Sequence, residues 1–551
     1  MKDGAAQRKA AGRGSKAGVR SSPPAPLQVA EAPGQGLALW QLMLAGGLVL
    51  AFYGVLRIGV GEPWGYDDYY HLGVARELWQ RFPLRSFPWT PFSLLADRYA
   101  DKEFLFHLVL MPLASLPVGT AALIGALMGQ AFLIGSMAWF LRSQRIPAAA
   151  GWLLCLAGLG PFFILRIEQV RPHVWMLGFS VLVLGLLFLG ARPGERPRYW
   201  IWTLAVVCAA FGMTHTTGWL AIVYAFTWSL AGRFAPLRGD RGEDRRFEIA
   251  PVLAAAGGWL FGQLVHPNLP NNFWLLWMVN VKVPLAATGA ASRSLREAIG
   301  VELQASSVPF LLEQWPLFIA PVFTVARLVR RPWARTRAAL TLVSLTLAFL
   351  VAGAFLLRRL LEISAVLGIM VLALVVAEEL RRGGARRPQP GRGRTLAAVA
   401  LALAVVWTVV QVRELGRGDL RPLGGGRPLA MASFLGEKGR PGDLVFSAQW
   451  ADSAPIFYMA PRLKSLVALD PTFFYAKDPQ LFDRYWAIAH GGSGDPVGEI
   501  GRRFGARYVT IWKAPGFEPL ARQLRRDRRA WILYEDRFYE VWEIAAAAGG
   551  G

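Results

Sequence analysis

The chain has 551 residues, is 54% hydrophobic, contains 22 Trp and carries a formal net charge of +23. That is too much apolar sequence for one soluble core, and it recurs in spans of about 20 residues, as in a polytopic α-helical membrane protein. The charge does not point to nucleic acid, because the Arg residues cluster in short loops between apolar spans, as a positive-inside bias produces.

Residues 1–35 are rich in Ala, Gly and Pro with Lys2, Arg8, Lys9, Arg13, Lys16 and Arg20, and are expected to form a disordered basic tail in the cytoplasm. No cleavable signal peptide is visible, because the apolar run that starts near Leu37 continues as a full span. That span, Leu37 to Ile58, leads outward and delivers Gly65-Tyr66-Asp67-Asp68-Tyr69-Tyr70-His71 to the non-cytoplasmic face. From Tyr69 to Phe82 the pattern predicts an amphipathic surface helix, with Leu72, Ala75, Leu78 and Trp79 opposite Arg76, Glu77 and Gln80. The Pro-rich stretch Phe82 to Pro91 ends it, and a second short helix is expected from Lys102 to Leu116. Its roughly 14 residues reach about 21 Å of a core of about 30 Å, so it stays within a first outer loop, 59–117. Asp101 and Glu103 read as solvated loop charges or residues of a helix start.

Basic loops then fall into register with spans over 118–141, 148–165, 174–190, 200–214, 216–231 and 249–265. Cys155 and Cys208 lie in these spans and offer neither a disulfide framework nor a metal site. A long outer loop, 266–314, follows, and further spans over 315–329, 338–357, the segment before Arg381 and 395–412 bring the total to about eleven. No span reads as broken at mid-membrane and none has a charge at its centre, which weighs against a transporter. Residues 413–544 form a different kind of sequence. Short β-rich runs (Leu444–Ser447, Ser465–Leu469, Arg507–Trp512, Trp531–Tyr534, Phe538–Trp542) alternate with helical patterns, predicting a small periplasmic α/β domain. It has no Gly-rich phosphate-binding turn after a strand, and the tail 545–551 is low-complexity and expected to be disordered.

Charges at the outer ends of spans run against the positive-inside pattern, so Arg166, Glu168, Arg171, Arg358, Arg359 and Glu362 stand out beside the Asp67 pair. Singly, each could snorkel or pair locally, as Arg359 could with Glu362; together on one face they point to function. Asp68 suits a helix cap, which leaves Asp67 free as a base or metal ligand. His71, His173, His215 and His266 are too scattered for a zinc site and suit packing roles.

Asp67-Asp68-Tyr69-Tyr70-His71 in a first outer loop resembles the Asp-x-x-Tyr-His pattern of GT-C membrane glycosyltransferases, especially the archaeal and bacterial catalytic subunits of oligosaccharyltransferase. The layout is similar over nearly the whole chain: a first outer loop with surface helices, a short second one, a long later one and an outer α/β domain. Protein O-mannosyltransferases and lipid A aminoarabinose transferases share this plan without the last domain. By that likeness Asp67 occupies the place of the catalytic aspartate, with Asp68 beside it, and Glu168 that of the second-loop acid. Glu297 or Glu302 would be the later-loop acid, and Arg358 or Arg359, helped by Arg171, would grip a lipid-linked phosphate. Trp450, Asp452, Asp470 and His266 are the acceptor-side candidates. Oligosaccharyltransferases carry Trp-Trp-Asp-Tyr-Gly at the start of the outer domain, whereas Gln449-Trp450-Ala451-Asp452-Ser453 stands here. One Trp and one Asp remain, so the acceptor is open among a lipid, a glycan and a protein side chain.

The resemblance implies a bacterial inner-membrane enzyme that takes a sugar from a polyprenyl phosphate or pyrophosphate on the periplasmic side. The leaving group is an anion, so the chemistry needs cations there and a carboxylate near the acceptor nucleophile. Magnesium or manganese could be held by Asp67 and Glu168, with Glu297 or Glu302 as a weaker third ligand. A silent binder or carrier of lipid-linked saccharide is the alternative.

Overall fold

A computed structural model of the chain describes residues 39–58, 63–190, 197–234, 247–285, 292–331, 335–382, 392–417, 427–467 and 470–545. The expected tail at 1–35 and all but Ala545 of the one at 545–551 lie outside the described residues. The apolar segments form helices close to the predicted bounds, among them Leu39–Ile58, Val118–Ser143, Pro172–Gly190, Arg337–Phe355 and Leu360–Arg382. Among the described residues, five helices are long and apolar enough to cross a membrane, or six if one bent pair counts as a span. The other expected crossings fall on shorter apolar helices such as Trp200–Thr214, Leu220–Phe234 and Ile249–Leu264.

The bent pair corrects one expectation. The segment over 148–165 is not continuous: Ala149–Gly158 and Pro161–Ile167 meet at 93°. Gly160 sits at φ +97° and Pro161 follows it, a combination that cannot continue a right-handed helix. Gln314 accepts a hydrogen bond from the Phe162 amide at 3.0 Å, so a residue of the long outer loop caps the second half. Beyond the break, Arg166 meets Glu362 and Arg171 meets Asp67 of the first outer loop and Glu302 of the long one.

The first-loop helix, Tyr66–Gln80, differs from the expected surface helix in being buried on most sides. Leu72, Ala75 and Leu78 are covered as predicted, and so is Glu77, which pairs with Arg81 at 2.9 Å; Trp79 stays exposed. Part of the cover comes from helix Phe104–Leu110 of the same loop and part from the C-terminal domain. Helix Ser453–Met459 packs on it, with Phe457 so close that a Cβ on Gly73 would lie 2.6 Å from its ring.

The C-terminal domain holds a five-stranded sheet ordered β2-β1-β3-β5-β4. The strands are β1 Leu444–Ser447, β2 Lys464–Ser465, β3 Ala506–Trp512, β4 Ala530–Glu535 and β5 Tyr539–Ile544. β1 runs parallel to β2 and β3, while β5 runs antiparallel to β3 and β4, giving the predicted α/β domain. It is clasped to the first loop by backbone and side chain. The Ser465 amide donates to the Trp89 carbonyl at 2.7 Å, the Trp89 indole to the Pro461 carbonyl at 2.7 Å, and Lys477 pairs with Asp97 at 2.7 Å. The long loop joins through Ser292, which donates to Asp483 at 2.7 Å. These contacts put both loops and the sheet domain on the same side of the helical bundle.

Candidate active site

Asp67 and Asp68 occupy the first turn of helix Tyr66–Gln80, and the helix turns them toward different surroundings. Asp68 is fully buried. Its Oδ2 receives the Arg57 guanidinium at 2.9 Å and the Trp64 amide at 2.8 Å, and its Oδ1 receives the Val170 amide at 2.6 Å. One carboxylate thereby ties the end of the first span, the first outer loop and the second outer loop together. Glu168 lies on this inner side: its charge interacts with Arg57 and Asp68, and burial pushes its carboxyl up to about 8.

Asp67 faces the second and long outer loops. Its Oδ2 pairs with Arg171, whose guanidinium is also 3.6 Å from Glu302. Burial raises the Asp67 carboxyl above the usual range, opposed by Arg171 and reinforced by Glu302. Burial also acts on Glu302, but Arg171 and Arg166 overcome it and hold its carboxyl below the ordinary value. Glu302 is placed by the backbone: the Arg359 amide donates to its carbonyl at 3.0 Å and the Arg358 amide to the Gln304 carbonyl at 2.9 Å. The long outer loop is thus stitched to the turn before helix Leu360–Arg382.

The two candidate phosphate-binding arginines have different surroundings. The Arg358 guanidinium lies over the Phe310 ring at 4.1 Å and donates to the Ala305 carbonyl at 3.3 Å. The Arg359 side chain makes no hydrogen bond or ion pair among the described residues, and the carboxylates it faces electrostatically are Glu302, Glu362 and Asp470. The expected Arg359–Glu362 pair is not formed. Glu362 instead pairs with Arg166 and lies 3.4 Å from His173, because the broken segment brings Arg166 over it.

Asp470 uses Oδ1 to accept from the Thr472 amide at 2.9 Å and hydroxyl at 2.6 Å, starting helix Thr472–Lys477. Asp452 is buried and accepts from the Tyr539 hydroxyl at 2.8 Å; that hydroxyl is 3.3 Å from the hydroxyl of Tyr66, next to Asp67 in sequence. Trp450 packs at the edge of the sheet-domain core. Glu297 lies away from this centre, pairing with Arg293 at 2.7 Å and accepting from the Trp486 indole at 3.2 Å. His266 donates to the Asp101 carbonyl at 2.9 Å and accepts from the Asn268 amide at 3.1 Å, holding the long loop against the first. Of the two settings expected for Asp101 and Glu103, the helix start holds, with Glu103 immediately before helix Phe104–Leu110, and the solvated loop does not: both are buried, and Asp101 accepts from His107 at 2.8 Å.

The sequence reading missed Arg57 and His107. Arg57 breaks the positive-inside pattern at the outer end of its span, and His107 stands one helical turn after Glu103, so both signals were present.

No protein-family model matches the sequence, and no curated protein matches it. Solved structures do match, and they define the architecture as the GT-C fold. The chain is similar to the Archaeoglobus fulgidus oligosaccharyltransferase tethered with an acceptor peptide containing the NVT sequon, at 12% identity and a TM-score of 0.58 over 86% of this chain and 69% of that one. It is similar to the same organism's oligosaccharyltransferase AglB in complex with an inhibitory peptide and a dolichol-phosphate, at 12% identity and a TM-score of 0.56 over 86% and 69% of the two chains. A mycobacterial arabinofuranosyltransferase, AftD, matches at 15% identity and a TM-score of 0.53, over 93% of this chain but 42% of its own length.

Proposed function

We propose that the chain is a membrane glycosyltransferase that moves a sugar or oligosaccharide from a polyprenyl-phosphate or polyprenyl-pyrophosphate donor to an acceptor, with Asp67 as the catalytic carboxylate. The observation that carries this reading is a shielded carboxylate at Asp67, held by Arg171 beside Glu302, together with the Arg359 cation, which faces Glu302 and makes no side-chain hydrogen bond or ion pair among the described residues. In this reading the membrane is the bacterial inner membrane, crossed about eleven times, with the N-terminus cytoplasmic and the active site and sheet domain periplasmic. The AglB neighbour is described with a dolichol-phosphate, which supports a lipid-linked donor here.

The acceptor nucleophile attacks the anomeric carbon, the bond from that carbon to the phosphate oxygen breaks, and the electron pair leaves with the phosphate. Asp67 takes the acceptor's proton, through the oxygen not held by Arg171. Its raised affinity for that proton suits the task. Arg359 receives the anionic phosphate, where a charge-assisted contact is stronger than a neutral one. Arg171 and Glu302 position Asp67, and Asp68 fixes the helix that presents it.

Magnesium or manganese does not fit this centre as the sequence reading arranged it. Glu168 sits with Arg57 and Asp68, Glu297 pairs with Arg293, and the guanidinium of Arg171 contacts both remaining carboxylates. No step therefore runs through a divalent ion at Asp67.

The test is release of free polyprenyl phosphate or pyrophosphate from a mixed lipid-linked donor pool supplied with membrane extract as acceptor source. Purified protein should release it in proportion to sugar transferred, and a donor pool left intact by well-folded protein would contradict the proposal.

A further inference from the structure

Behind the Asp67 centre, one turn along the same helix, lies a second group of buried polar residues that the transfer chemistry does not use. His71 Nδ1 is 2.8 Å from His107 Nε2, and His107 Nδ1 is 2.8 Å from both Asp101 carboxylate oxygens. Glu103 stands beside them with Oε2 buried and lacking a hydrogen bond among the described residues, while its Oε1 is 3.4 Å from Lys102. All three residues, His71, His107 and Glu103, are at most 4% exposed.

We propose that His71, His107 and Glu103 bind one divalent transition-metal ion, zinc by the chemistry of the ligands. Two imidazoles and one carboxylate form a donor set that zinc takes readily, with a position left for water. Asp101 supplies the second layer: it accepts the Nδ1 proton of His107 and so leaves a lone pair on Nε2, the arrangement by which carboxylates orient metal-binding histidines. The ligand atoms lie within 4.8 Å of one another, and ligands of a tetrahedral zinc sit about 3.3 Å apart, so closure asks for a small side-chain movement. His71 and His107 part slightly and Glu103 swings inward.

Charge favours the ion too. Asp101 and Glu103 against Lys102 leave one uncompensated buried carboxylate, an unfavourable state that a cation relieves. Because Glu103 would bind through Oε2, its contact with Lys102 through Oε1 persists. The ion would fasten helix Phe104–Leu110 to helix Tyr66–Gln80, and His71 is four residues from Asp67, on the same face. It would hold the catalytic carboxylate's helix in place without touching substrate.

The test uses full-length protein in detergent, prepared without a polyhistidine tag, equilibrated with zinc and freed of excess. Elemental analysis should give near-stoichiometric zinc per chain in wild type, Asp67→Asn and Glu302→Gln, with loss of most of it in His71→Ala and Glu103→Gln. X-ray absorption on the wild-type protein should show two imidazole nitrogens and a carboxylate oxygen, a readout that survives if a variant fails to fold. Wild type that retains no zinc, zinc undiminished in both His71→Ala and Glu103→Gln, or bound zinc without imidazole ligands would overturn the proposal. A hydrogen-bonded Asp101–His107–His71 chain without metal would then stand in its place.

Discussion

Asp67 and Asp68 are adjacent in sequence and differ in almost everything that determines chemistry. Asp68 sits between Arg57 and two backbone amides. Asp68→Asn removes one charge of a buried pair and should cost roughly 3–5 kcal/mol, read as a lowered apparent Tm in detergent. Asp67, by contrast, carries a carboxyl raised by burial and by Glu302. A base must be ionised, so the rate should fall as pH drops through a value above the ordinary aspartate range of about 4. Glu302→Gln removes one cause of the shift, and the acid limb of the pH profile should move down; an unmoved limb would detach Glu302 from Asp67. Arg359→Gln should weaken donor affinity about 10- to 100-fold, the worth of a charge-assisted contact, measured as donor binding to protein whose Tm is unchanged. The sequence marked Arg358 and Arg359, beside the Asp67 pair, as charges in the wrong place, and Glu297 and Glu302 only through the resemblance to GT-C glycosyltransferases. It could not rank Arg358 against Arg359, nor Glu297 against Glu302, since the difference lies in which of each pair a distant partner has already taken.

The helices themselves were largely legible, because apolar runs of membrane length leave little choice of secondary structure. What pattern alone could not show was where one of them breaks. Gly160 and Pro161 were visible, yet the surrounding residues are apolar throughout, and hydropathy is insensitive to a positive φ. Gly160→Ala should strain that turn, displacing Arg166 from Glu362 and lowering both stability and turnover. The burial of helix Tyr66–Gln80 was equally hidden, since much of its cover comes from residues more than 370 positions later, as in the approach of Phe457 to Gly73. Gly73→Leu would collide with Phe457. It should loosen the docking of the C-terminal domain, seen as faster proteolysis between the bundle and a still-folded sheet domain.

At the scale of the whole molecule, the first loop, the long loop and the sheet domain close over one face of the bundle, and Asp452 lies in that closure. Burial pushes its carboxyl up to about 8 although Tyr539 donates to it. A carboxyl with a raised folded-state pKa binds its proton more tightly when folded, so that contribution to stability is present at low pH. It is lost as pH rises from about 4, the unfolded value, toward 8. Asp452→Asn should therefore flatten the fall in Tm across that window, and an unchanged slope would assign the pH dependence elsewhere. The α/β character of this domain was readable from its alternating runs; its seat beside Tyr66 was not, because side-chain contact across domains leaves no local pattern.

The account turns on Asp67, and the most direct measurement compares wild type with Asp67→Asn for donor binding and for release of free polyprenyl phosphate in the same preparation. Release should fall by about 10²- to 10⁴-fold, as expected for loss of a general base, while donor binding is retained. Equal release by both proteins, or donor binding with no release from either when acceptor is supplied, would contradict it, the latter leaving a protein that binds lipid-linked saccharide without transferring it.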